Sequence, residues 1–89
     1  MPKFYTLEYA RIKVRAAVRG MTFAQLAKKC GISRQALEMS LKGGRPNVDG
    51  QIRLAANLDM EMDKLFAPVT TGELVAAALW YAGLEGKQR

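Results

Sequence analysis

The stretch Ser33-Arg34-Gln35-Ala36-Leu37-Glu38-Met39 holds the side chains best suited to recognition chemistry, and that chemistry is hydrogen bonding. An arginine fork matches O6 and N7 of guanine, and a glutamine matches N6 and N7 of adenine. Glu38 can accept from cytosine or, four residues after Arg34, pair with it along a helix. Met39 can meet a thymine methyl or simply stand exposed. Ser33 is an N-cap type that can also bond a phosphate. After the stretch, Lys42-Gly43-Gly44-Arg45 joins two cations to two glycines, which let a backbone approach phosphate closely. The plainer alternatives are a solvated charge at Arg34 and a flexible basic linker at 42–45.

Other chemistry finds little support. The chain has no histidine and a single cysteine, so a disulfide is excluded and structural zinc lacks ligands. No Gly-rich loop followed by Lys-Ser/Thr is present to cradle a nucleotide. No catalytic residue, metal or cofactor is expected, and Cys30 reads as a small core residue. A lone thiol fits a reducing, cytoplasmic setting.

The charge is uneven. Residues 1–45 carry ten Lys/Arg against two Asp/Glu, a net +8, and residues 46–89 carry four against six, a net −2. A basic half suits a polyanion, with nucleic acid first and an anionic membrane surface second. The longest apolar run, "LVAAALWYA" at 74–82, is too short to span a bilayer, so no membrane is expected.

The elements that must position these residues read as helices throughout. Thr6 suits the cap of a first helix reaching Arg19, with Leu7, Ala10, Val14, Ala17 and Val18 at helical spacing and Gly20 as stop. "TFAQ" at 22–25 is a capping box, and Met21 and Leu26 form its staple. That short second helix turns Leu26, Ala27 and Cys30 inward, shows Lys28 and Lys29 to solvent, and ends at Gly31. Ser33 starts a third helix running to about Lys42, and "GGRP" ends it. A fourth follows over 48–58, with Ile52, Ala55, Ala56 and Leu58 as its apolar positions and Gly50 weakening its first turn. A short fifth spans 61–66, and a sixth, capped by Thr71, spans 72–84. Phe4 and Tyr5 are expected to cover the core or, with Lys3, to form an arm.

Two short helices joined at Gly31 make a helix-turn-helix. Ala27 supplies the small side chain needed where the helices cross, and Gly31 accepts positive φ without penalty. Ile32 and Leu37 hold the inner face of the second helix. Arg34, Gln35, Glu38 and Met39 are then free to enter a major groove.

From Thr6 to Phe66 the chain resembles the Cro/CI-type (XRE-like) DNA-binding domains of phage repressors and bacterial regulators. The resemblance rests on "RGMTFAQLAKKCGIS", then a helix and a glycine, then "RPNVDGQIRLAANLDMEMDKLF". It implies an all-α, five-helix, lambda-repressor-like helix-turn-helix domain over 1–66. Residues 67–89 then add a linker and a C-terminal helix. It also implies that double-stranded DNA is the partner. Base contacts fall to Arg34, Gln35, Glu38 and Met39, and phosphate contacts to Ser33, Lys42, Gly43, Gly44, Arg45 and Lys28. Phe23 joins the phosphate set, because it stands where the family often has a phosphate-touching glutamine. The family's ion pair between the first and third helices is replaced here by Ala16 and Leu41, which read as an apolar contact. Ser40 stands at a position that is usually apolar.

The C-terminal helix is apolar around most of its circumference, with Leu74, Val75, Ala78, Leu79, Trp80 and Tyr81. One face cannot bury all of these, so the helix is expected to pack on a second copy or another protein. The expected function is a dimeric, sequence-specific DNA-binding repressor or autoregulator of phage or prokaryotic type. The competing expectation is a protein-interaction module or antitoxin on the same scaffold.

Overall fold

The computed structural model describes residues 6–88. Expectations for Lys3, Phe4 and Tyr5 lie outside the described residues. The described chain is all-α: α1 Leu7–Val18, α2 Phe23–Lys29, α3 Arg34–Lys42, α4 Val48–Leu58, a 3-10 turn at Met62–Lys64, and α5 Thr71–Gln88.

One device starts every α-helix. A side-chain oxygen of Thr6, Thr22, Ser33, Asn47 or Thr70 accepts from the amide three residues on, at 2.9 to 3.1 Å. Each bond satisfies an amide that lacks a partner within its helix. The Thr22–Gln25 capping box is complete in both directions. A second box differs from expectation: Thr70, not Thr71, caps α5, with the Glu73 carboxylate accepting from the Thr70 amide at 3.0 Å.

The ends are equally regular. After α1, Gly20 bonds back to Ala17 and Met21 to Ala16, and after α2, Gly31 bonds to Lys28 and Ile32 to Ala27. These crossed pairs need one residue at positive φ, which Gly20 (+73°) and Gly31 (+77°) supply. Asp59 (+53°) plays the same part after α4.

The main core joins Tyr9, Ile12 and Ala16 of α1 to Leu26, Ala27, Leu37, Leu41, Leu54 and Leu58, and Leu65 and Phe66 close it. Two expected stripes are corrected. On α1, Leu7, Ala10 and Val18 are exposed, because the helix turns Tyr9, Ile12 and Ala16 to the core and its Ala17 side toward α5. On α4, Leu54 and Leu58, one turn apart, carry the burial. Ile52 and Ala56 fall on the far side of the cylinder and face solvent. The expected fifth helix is a single 3-10 turn, and the last helix runs past Leu84 to Gln88.

Ala17 and Ala77 are buried outside that core, where α5 packs on α1. Arg15 is buried in the same region. Its Nε lies 3.1 Å from Glu73 Oε2, within ion-pair range although off the hydrogen-bonding angle. Its Nη1 donates to the Leu65 carbonyl at 3.0 Å and its Nη2 to the Pro68 carbonyl at 3.4 Å. An arginine taken this far from water needs both the charge and the carbonyls.

Candidate nucleic-acid interface

α3 is held from behind. Leu37 and Leu41, at i and i+4, are buried, and Ile32 packs partly against the same core. Ala16 and Leu41 are both fully buried in one cluster. Thr6 adds a longer link: its hydroxyl donates to the Leu41 carbonyl at 2.6 Å while accepting from the Tyr9 amide. The start of α1 and the last turn of α3 therefore share one side chain. Ser40 causes no disruption, since its hydroxyl donates to the Leu37 carbonyl at 2.9 Å.

The outer face of α3 presents Arg34, Gln35 and Met39 to solvent, with Met39 72% exposed. Glu38 lies one turn beyond Arg34, and Arg34 Nε donates to its Oε1 at 3.0 Å. The arginine is 61% exposed and the glutamate 12%, so the carboxylate is tucked in and the guanidinium stands out. Ser33 is exposed, but its hydroxyl already caps Ala36.

Lys42, Gly43 and Arg45 are exposed and Gly44 is half-buried, with φ of +111° at Gly44. Arg45 is tethered, its guanidinium carbon 5.2 Å from the centre of the Phe66 ring, a cation–π arrangement. Lys28 is exposed beside the turn between α1 and α2, sharing a shallow cleft with Arg19, Gln25 and Lys29.

Phe23 needs correction as a phosphate contact. Its ring is 4% exposed and lies 4.7 Å from the Tyr9 ring, centre to centre. A phenyl group placed first in α2 gains more from the core than from an anion, so only its backbone could face a phosphate.

Behind α3 runs a cleft of about 410 Å³ lined by Ile32, Ala36, Ser40, Pro46, Asn47 and Arg53, with Cys30 at its wall. Burial pushes the Cys30 thiol above its ordinary range, and the Asn57 amide and Arg53 charge oppose this only in part. The group stays a neutral thiol, in keeping with a core role.

On α5, Ala77 is buried and Trp80 and Tyr81 are half-buried, their rings in edge contact at 5.1 Å. Leu74, Val75, Ala78 and Leu79 remain exposed. Thus the helix covers α1 with one side and offers an apolar strip on the other.

Sequence reasoning missed the pairing of buried Arg15 with half-buried Glu73 and the Thr6–Leu41 bond. Neither has a local signal, since the partners are 58 and 35 residues apart. No group of three or more possible metal ligands occurs among the described residues, and none of their helices is long and apolar enough to cross a membrane. Comparison of the chain with family models, curated proteins and solved structures finds no match.

Proposed function

We propose that the protein is a sequence-specific, double-stranded DNA-binding regulator with a lambda-repressor-like helix-turn-helix. The reading takes it as a cytoplasmic binding protein without catalytic activity or cofactor, working as a repressor or autoregulator of phage or prokaryotic type. The observation that carries it is the division of α3. Leu37 and Leu41 anchor one face, and Arg34, Gln35 and Met39 are exposed on the other behind the Gly31 turn. A short helix rigidly backed, with base-matching donors outward and cations at its end, has the form that a major groove accepts.

Ser33, Lys42, Gly43, Gly44 and Arg45 serve as the phosphate set, with Lys28 adding general attraction. Exposed Leu74, Val75, Ala78 and Leu79 supply the surface on which two copies pair, placing two reading helices about one DNA turn, ~10 bp, apart. The same strip supports a second reading, in which α5 holds a different protein, as an antitoxin would.

The test is selection of bound duplexes from a random library at ~150 mM salt, where weak electrostatic binding is suppressed. An enriched inverted repeat supports a dimeric reader. Absence of enrichment by folded protein overturns DNA reading and leaves the α5 strip as the functional surface.

A further inference from the structure

We propose that Glu38 is a positioning residue that fixes Arg34 to read guanine. The inference rests on α3 being the DNA-reading helix and goes beyond it by assigning a base to one side chain and a distinct role to its neighbour.

A guanidinium can present a side edge, with Nε and one Nη, or its end, with both Nη atoms. Arg34 Nε is already committed to Glu38 Oε1 at 3.0 Å. The end is therefore the edge left for a ligand, and two parallel N–H donors there match the O6 and N7 acceptors of guanine. Adenine offers N7 beside an N6 donor, which an arginine cannot satisfy. Cytosine offers a donor, and thymine a single acceptor beside a methyl.

Exposure supports the same division of labour. The Glu38 side chain is 12% exposed and that of Arg34 61%, so the acid that accepts from Arg34 Nε is largely covered and the base stands in solvent. The pair also removes an electrostatic obstacle. A carboxylate on a helix facing phosphates opposes binding unless a cation neutralises it, and Arg34 does so from one turn away. Holding the guanidinium in one orientation before binding reduces the ordering that recognition would otherwise require.

The experiment repeats the library selection with wild type, Glu38→Gln, Arg34→Ala and the double variant, and measures each protein's affinity for random duplex and its melting temperature. Wild type should enrich a position with guanine preferred by about 5- to 150-fold, the range for one bidentate contact. Glu38→Gln should reduce that preference at least fivefold, leave other positions intact, and bind random duplex as well as wild type or better. Arg34→Ala should lose the guanine and also bind random duplex more weakly, since Glu38 is left unpaired. Adding Glu38→Gln to it should restore general binding without restoring the guanine. A guanine preference undiminished in Glu38→Gln overturns the positioning role while leaving DNA reading in place. No enriched motif with wild type overturns DNA reading and this assignment together. A uniform loss of affinity and melting temperature in Glu38→Gln overturns it in favour of a structural pair.

Discussion

Arg15 on α1 and Glu73 on α5 form an ion pair across 58 residues of sequence, with Nε 3.1 Å from Oε2 and the arginine almost wholly removed from solvent. It joins the last helix to the rest of the protein.

Removing the acid should be costly because the buried guanidinium cannot leave. Glu73→Ala is expected to lose about 1–3 kcal/mol, less than for a fully buried pair because Glu73 is 24% exposed and two carbonyls still hold Arg15. Replacing both, as Arg15→Met with Glu73→Leu, should return stability to within about 1 kcal/mol of wild type. Urea unfolding midpoints check both, and an unchanged midpoint in Glu73→Ala would show that the pair contributes nothing.

The pair also predicts an acid response. Burial pushes the Glu73 carboxyl up, but the Thr70 amide, the Arg15 charge and the Thr70 and Arg15 side-chain bonds outweigh it and hold the carboxyl below its ordinary 4.5. The folded value is below the unfolded one, so the stabilisation is complete above about pH 4.5 and is lost as pH falls through the folded value. The stability gap between wild type and Glu73→Gln should be constant near neutrality and close in acid. A gap that persists to low pH would contradict the assignment.

Thr6→Ala removes both the α1 cap and the bond to Leu41, and should lose about 1–2 kcal/mol. Thr6→Ser keeps the hydroxyl and should lose much less. Equal losses in thermal unfolding would trace the effect to the methyl group.

Two glycine-to-alanine exchanges should have opposite signs. At Gly83, nothing lies within 4 Å of an added Cβ, and the exchange should stabilise α5 by about 0.5–1 kcal/mol. At Gly50, the added Cβ would lie 2.9 Å from the Pro46 Cβ, part of a rigid ring, and a loss of about 1–2 kcal/mol is expected instead. Gains at both sites would mean that Pro46 yields easily.

Leu79→Glu tests the outer strip of α5. Because Leu79 is 69% exposed, the variant should fold as wild type does but sediment as a monomer. A wild type already monomeric at high concentration would remove α5 as a self-association surface.

Much of this fold was legible because its punctuation is local. Thr22 with Gln25, Ser33 before a helix, and glycines at 20 and 31 each act within a few residues, and each stands where expected. The outer face of α3 was legible too, since Leu37 and Leu41 fix its rotation. What failed was the choice of face where a helix has two neighbours. α1 lies between the core and α5, so its apolar residues form two stripes; of the expected Leu7, Ala10, Val14, Ala17 and Val18, Ala17 is buried on the α5 side while Leu7, Ala10 and Val18 are exposed. At Phe23, position within the resemblance points to a phosphate, while a phenyl ring beside Tyr9 follows burial. The expected cap at Thr71 is displaced by one residue, because the residue three after Thr70 is Glu73, whose carboxylate completes the box.

The main cluster is complete at Phe66, and it contains no residue of α5. During synthesis, every residue of that cluster is therefore made before Thr71 is added to the chain. The last helix is made after that cluster, and it covers the Arg15 and Ala17 side of α1. Any molecule that seeks the Ala17 side of α1 competes with a docked helix, not with the whole folded state.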